Sequence, residues 1–91
     1  MRIGYTKDFD KKVDKLKDVT AKQRLYELII KLEKATTLHE IQNVATIKGS
    51  FGLFRIRIGD YRLIVEYWNG SLNILLIDYL KRNEKTYKGL R

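Results

Sequence analysis

The spacing of apolar positions divides the chain into a helical first half and a strand-forming second half. Residues 2–6 predict a short strand, and Thr6 is a suitable N-cap for the helix that follows. The apolar positions of this helix are Phe9, Val13 and Leu16. A capping box of Thr20 and Gln23 predicts a second helix, whose apolar positions are Leu25, Leu28, Ile29 and Leu32. Together they predict an antiparallel helical hairpin with one shared apolar face.

The second half alternates apolar and polar residues with a period of two, which is typical of strands. Residues 36–47 predict a turn of helix and then a short strand. Gly59 and Asp60 predict a two-residue loop between strands at 53–58 and 61–68, and Asn69-Gly70 is a strong hairpin signal before a third strand at 71–79. Residues 82–89 predict a brief terminal helix.

These elements predict an α+β fold. In it, an N-terminal strand and a helical hairpin pack on a twisted antiparallel sheet, and a short C-terminal helix follows. The 91 residues provide one core, so we expect a single domain spanning residues 1–91.

The composition excludes several kinds of chemistry. Without cysteine there are no disulfides, thiolate zinc sites or cysteine nucleophiles, and one histidine excludes any mechanism that needs two imidazoles. We also expect no metal and no cofactor. The longest apolar run, residues 74–77, is too short to cross a bilayer, and residues 1–6 lack the features of a signal peptide. We expect a cytoplasmic protein with no membrane partner.

The basic residues are unevenly distributed along the chain, whose formal net charge is +8. Lys and Asp alternate between Lys7 and Lys17, as on a solvated helix face. In the second half the basic residues form two clusters with few acids between them: Arg55, Arg57 and Arg62, and then Lys81, Arg82, Lys85, Lys88 and Arg91. Such clusters indicate a polyanionic partner, with nucleic acid the first candidate.

The predicted hairpin brings the first cluster to one face of the sheet. A loop at Gly59 and Asp60 pairs Arg57 with Arg62, with Arg55 on the same outer face, and like-charge pairs cost a few tenths to about 1 kcal/mol. An anion-binding surface explains such a pair. The alternative is that the side chains extend into water and bridge Asp60 or Asp78. On the third strand we expect Ile77 and Tyr79 on this outer face, with Lys81 and Arg82 at its rim.

The sequence resembles the RelE/ParE superfamily of toxins from type II toxin-antitoxin systems, and within it the RelE branch. The resemblance rests on Ile47-Lys48-Gly49, on the stretch from Phe54 to Ile64, on a hydrophobic strand ending in Lys81 and Arg82, and on Tyr87. It implies a RelE-like toxin domain over nearly the whole chain. It also implies a metal-independent endoribonuclease that enters the ribosomal A site and cuts mRNA, so that the ribose 2′-OH attacks the adjacent phosphate.

The resemblance also implies roles for six residues. Arg55 and Arg57 would position RNA and favour the deprotonated 2′-OH, and Arg62 would stabilise charge on the phosphorane. Lys81 and Arg82 match the basic pair after the last strand, with Arg82 the candidate for protonating the leaving group. Tyr87 matches a tyrosine that stacks on or orients the nucleotide.

The implied partners are mRNA on the ribosome, with the 16S rRNA of the A site, and a cognate acidic antitoxin. Two alternatives remain open. A ParE-like toxin has the same fold but binds and inhibits DNA gyrase, and a catalytically weak toxin would chiefly bind its antitoxin.

Overall fold

A computed structural model describes residues 1–82 of the 91-residue chain. The predicted terminal helix therefore lies outside the described residues, apart from its first position. The elements are β1 (Arg2–Tyr5), α1 (Lys7–Lys15), α2 (Val19–Lys34), β2 (Val44–Thr46), β3 (Leu53–Ile58), β4 (Tyr61–Tyr67) and β5 (Asn73–Lys81). A 3-10 turn at Leu38–Glu40 precedes β2, which confirms the predicted turn of helix and short strand.

The five strands form one sheet in the order β1-β5-β4-β3-β2. The antiparallel meander of β3, β4 and β5 is confirmed, and β2 adds to β3 in the antiparallel sense. β1 runs parallel to β5, so the sheet is mixed and not antiparallel throughout. The period-two pattern of a strand does not encode the direction of its neighbour, which is why this pairing was not predicted. The α+β prediction itself is confirmed, with both helices packed on the sheet.

Side-chain caps define where the two helices begin. The Thr6 hydroxyl accepts a hydrogen bond from the Phe9 backbone at 3.1 Å, as predicted. The second helix begins two residues earlier than its predicted capping box, because the Asp18 carboxylate accepts from the Ala21 N–H at 3.0 Å. At the far end of α2, the Met1 ammonium donates to the carbonyls of Leu32, Glu33 and Ala35 at 2.7 to 3.2 Å. This positive group binds carbonyls at the negative, C-terminal end of the α2 dipole.

The main core lies between the helices and one face of the sheet. Its buried members are Phe9, Val13, Ala21, Leu25, Leu32, Leu38, Ile56, Leu63, Val65, Tyr67, Ile74, Leu76 and Tyr79. Leu72, an apolar residue of the predicted third strand, is 64% exposed and lies outside this core. The reason is the loop: Asn69-Gly70 does form a turn, closed by a bond from Ser71 to Trp68, but strand pairing resumes only at Tyr67 and Ile74.

A bulge in β5 changes which side chains face the helices. Val65 pairs with Leu76 and Ile64 pairs with Asp78, which leaves Ile77 as an extra residue. A one-residue shift reverses the faces of all positions beyond it. Tyr79 is therefore buried in the main core, and its predicted place on the outer face is wrong. Leu80 takes the outer position instead, where it forms a small apolar cluster with Ile47 and Ile64.

Candidate functional site

Three arginines from separate parts of the sheet converge on one concave surface. Arg57 of β3, Arg62 of β4 and Arg82 after β5 line a cavity of about 410 Å³ together with Asn43 and Gly59. We call these five residues the arginine site. It lies at the end of the sheet where the β3–β4 turn meets the end of β5. The strands bring together cations that are up to 25 positions apart in the sequence.

The β3–β4 hairpin places two of these arginines side by side. Arg57 pairs with Arg62, as the predicted register requires. The Arg57 N–H donates to the Asn43 carbonyl on the β2 side at 3.1 Å, so Arg57 and Arg62 are a non-hydrogen-bonded pair. Side chains are closer in such pairs than in hydrogen-bonded ones. The turn is tight because Gly59 has φ +57°, a conformation that side chains rarely adopt.

Arg82 is attached to the same turn by its backbone. Its N–H donates to the Asp60 carbonyl at 2.6 Å. The bulge in β5 matters here, because it pairs Arg62 with Leu80 and so brings the end of β5 alongside the arginines. The third cation is therefore positioned by a main-chain bond and by strand register.

The guanidinium groups of the site are not neutralised by the described part of the protein. Arg62 makes a long hydrogen bond of 3.5 Å to the Tyr61 carbonyl, and none of the three forms an ion pair with a carboxylate of residues 1–82. The alternative of bridges to Asp60 or Asp78 is not observed within that range, since Asp78 pairs with Lys12 at 3.1 Å. Three adjacent cations without carboxylates form a strongly anion-attracting surface.

The other predicted site residues lie in different places. Arg55 is exposed on the outer face of β3, beside Ile64, and does not line the cavity. Lys81 pairs with Tyr61, so the register directs it to the helix side of the sheet, away from Arg82. Tyr87 lies outside the described residues. The roles of all six predicted site residues stay predictions.

Two residues near the site were missed in the sequence. Asn43 lines the cavity and has φ +64°, and asparagine is one of the few residue types that tolerate this conformation. The Arg24 guanidinium of α2 lies against the β3–β4 turn, where a Cβ on Gly59 would collide with it. In the sequence, an Asn before a short strand is only a weak signal of a functional residue. Arg24 carries no such signal, because its position beside the β3–β4 turn depends on how α2 packs on the sheet.

A buried tyrosine lies behind the turn. The Tyr79 hydroxyl donates to the Ala21 carbonyl at 2.9 Å, and its ring stacks on Tyr61 with centroids 4.8 Å apart. Burial raises the pKa of Tyr79 to about 12; the charges of Tyr61 and Asp18 add to the rise and Arg24 opposes it. This hydroxyl stays protonated and serves as a structural donor, so it is unsuited to proton transfer near neutral pH.

Other kinds of site are absent from the described part of the chain. Residues 1–82 contain no group of three or more His, Asp or Glu side chains that is able to hold a metal ion. No helix within this range is long and apolar enough to cross a membrane.

Sequence comparison finds no matching protein-family model and no matching curated relative. Comparison of structures does find matches. A chain of the RelB-RelE antitoxin-toxin complex from Methanococcus jannaschii has a TM-score of 0.76 at 22% identity, over 97% of this chain and 99% of that one. The isolated E. coli RelE toxin has a TM-score of 0.69 at 15% identity, over 98% and 93%.

A third similar structure, from the archaeal RelE-RelB complex of Pyrococcus horikoshii OT3, has a TM-score of 0.64 at 25% identity. It covers 92% of this chain and 97% of that one. Agreement over nearly the full length of each protein confirms, at the level of the fold, the resemblance inferred from the sequence. The chain therefore has the fold of the RelE toxins.

Proposed function

We propose that this protein is the toxin of a type II toxin-antitoxin system and that it is an endoribonuclease. It cuts mRNA in the ribosomal A site without a metal. The observation that carries the proposal is the convergence of Arg57, Arg62 and Arg82 on one cavity, with no carboxylate of residues 1–82 paired to them. The RelE fold supports the same assignment.

The proposed reaction needs charge stabilisation more than a strong base. The ribose 2′-oxygen attacks the adjacent phosphorus as its proton passes to solvent water. The bond to the 5′-oxygen breaks as that oxygen takes a proton from the Arg82 guanidinium, which solvent water then reprotonates. The products are a 2′,3′-cyclic phosphate and a 5′-OH. Guanidinium groups bind two phosphate oxygens at once, and those of Arg57 and Arg62 remain charged throughout, so they stabilise the phosphorane and the developing 2′-oxyanion.

Within this mechanism each arginine has a position that suits its role. Arg57 and Arg62 face the phosphate from adjacent strands, while Arg82 approaches from the end of β5 and protonates the leaving oxygen. Arg55 lies one pleat away and holds the RNA backbone. Lys81, on the helix side of the sheet, adds positive charge to this end of the molecule, and Tyr87 orients the nucleotide.

A toxin of this kind requires an inhibitor in the same cell. We propose that its partner is a cognate antitoxin with acidic segments, since the chain carries a net charge of +8. The neighbours from Methanococcus jannaschii and Pyrococcus horikoshii are RelB-RelE complexes, which supports this kind of partner. Such a segment neutralises part of the excess charge when it lies over the arginine site.

The test is to produce the protein alone in a bacterial host and to map the 5′ ends of the mRNA. We expect growth arrest and cuts at defined codon positions on translated messages. Arg62→Ala with Arg82→Ala removes two of the three stabilising cations, so cleavage should fall by about 100-fold or more. Lys11→Ala, an exposed change on α1, is the control and should leave arrest and cleavage intact.

Two results would contradict the proposal. Intact mRNA combined with loss of gyrase supercoiling would select the ParE-like alternative. Intact mRNA and normal growth, with tight binding of an acidic antitoxin, would select a catalytically weak toxin.

A further inference from the structure

A second concave surface adjoins the arginine site. It is a groove of about 390 Å³ between α2, the segment from Glu40 to Asn43, and the end of β3. We call it the helix groove. Asn43 and Arg57 line both the helix groove and the arginine site, so the two cavities meet at these residues, with the groove on the helix side of β3 and the arginines on its outer face. A ligand long enough to pass the β3–β4 turn therefore reaches both cavities.

The floor of the helix groove is apolar. Leu28 of α2, Ile41 and the β3 residues Ile56 and Ile58 line it, and Ile56 is fully buried. Its volume lies within the range of small-molecule sites, about 300 to 1,000 Å³, so a nucleobase fits it. An apolar floor suits the face of such a base.

Polar groups at the rim complete the chemistry of a nucleotide site. Gln42 and Asn43 provide side-chain amides, which donate to and accept from base edges. Arg24 and Lys31 provide cations that are able to bind phosphate, and a planar guanidinium such as that of Arg24 is also able to stack on a base. Arg24 lies against the Gly59 turn, so it is adjacent to the arginine site.

The charge balance of the groove favours an anionic ligand. Arg24, Lys31 and Arg57 outnumber Glu27 and Glu40. The Glu40 carboxylate accepts from the backbone N–H groups of Thr36 and Thr37, at 2.7 and 2.9 Å. Neither Arg24 nor Lys31 has an ion pair within residues 1–82, so both are available to a phosphate.

We propose that the helix groove binds the nucleotide that adjoins the cleaved phosphate, with its base on the apolar floor and its edge on Gln42 and Asn43. This rests on the proposed function and adds to it a determinant of base preference at one position beside the cut. Arg24 acts as a positioning residue for that nucleotide.

The experiment measures cleavage of ribosome-bound mRNA in vitro, with each of the four bases placed in turn at the positions flanking the cut. Wild type is compared with Arg24→Gln and Gln42→Ala, and with Lys11→Gln as the matched control on α1. Base contacts of this kind imply about a tenfold fall in kcat/KM for both groove variants. We also expect their base preference to change at one flanking position, while Lys11→Gln matches wild type.

The outcomes separate the two proposals. If wild type cleaves and both groove variants keep its rate and base preference, the nucleotide subsite is wrong and the proposed function stands. If the groove variants cleave the substrates with all four bases more slowly by the same factor, so that base preference is unchanged, the subsite is also wrong. Arg24 then only supports the turn. If wild type cuts no mRNA, the proposed function fails and the subsite fails with it. Thermal unfolding checks that each variant is folded, and Gln42→Ala, in a loop, keeps the test valid if Arg24→Gln is unstable.

Discussion

Tyr79 joins the last strand to the second helix through one hydroxyl. Its side chain is 2% exposed, donates to the Ala21 carbonyl and stacks on Tyr61. Burial raises its pKa to about 12 from an ordinary value of 10. Because the folded pKa is the higher one, the neutral hydroxyl contributes its full stability below pH 10. That contribution is lost as the pH rises through 12.

Removal of this hydroxyl tests its structural role. Tyr79→Phe loses the hydrogen bond and leaves the Ala21 carbonyl without that partner, so we expect a loss of about 1 to 2 kcal/mol at pH 8. Between pH 10 and 12 the variant should lose less stability than wild type, since it lacks the shifted group. Urea unfolding at several pH values measures both effects. Tyr26→Phe, on an exposed tyrosine, is the control and should keep the wild-type pH dependence. An unchanged alkaline slope in Tyr79→Phe would refute this account.

The β3–β4 turn is the element that sets the spacing of the arginines. Gly59 has φ +57°, and a Cβ there would also meet the Arg24 guanidinium. That guanidinium is the flexible end of a side chain, so it is able to move away at little cost. Gly70, in the β4–β5 turn, has φ +83° and open space around it. The two glycines therefore share the backbone requirement and differ in what lies beside them.

This difference predicts that the two glycine substitutions lower stability to a similar extent but differ in their effect on activity. Gly59→Ala and Gly70→Ala should each destabilise the protein by about 1 to 2 kcal/mol, because both force alanine into the left-handed region. Only Gly59→Ala displaces Arg24 and the turn that holds Arg57 and Arg62, so only this variant should cut mRNA more slowly. Unfolding curves and a cleavage assay, run on the same preparations, measure the two effects. Equal cleavage by both variants would show that the Gly59 turn does not position the site.

The net charge of +8 is unevenly distributed over the whole molecule. On α1, Asp8 and Asp10 lie near Lys12 and Lys15, and this helix adds little net charge. The end of the sheet carries Arg57, Arg62 and Arg82 without paired carboxylates from residues 1–82. The molecule is therefore polarised toward that end, which is the arrangement that guides a polyanion to one surface.

This uneven charge predicts that the salt dependence of RNA binding changes with the position of the cations that are removed. Binding of a short single-stranded RNA should weaken as salt rises, with a slope of about 0.7 per phosphate contact. Arg57→Ala with Arg62→Ala should make that slope shallower, whereas Lys11→Gln should change it little. Fluorescence anisotropy across a salt series measures the slopes. If wild type and both variants show the same slope, RNA binding depends on the total charge of the molecule and not on the arginines at the end of the sheet.

Local pattern alone was sufficient for much of this protein. Period-two alternation and the Gly59-Asp60 loop predicted the Arg57–Arg62 pair correctly, because a two-residue loop leaves one register for the strands beside it. Helical spacing similarly predicted Phe9, Val13, Leu25 and Leu32 as buried residues. These features depend on neighbours close in sequence, and short-range stereochemistry decides them.

Tertiary structure decided the rest, and the reason is that each feature depends on contacts between distant residues. The bulge at Ile77 exchanged the faces of Tyr79 and Leu80, and nothing in the alternation of β5 marks it. β1 became a parallel edge strand because β5 offered it a free edge. The helix groove exists only because α2 packs across the end of β3, which brings Arg24 to the turn of a hairpin more than thirty positions away.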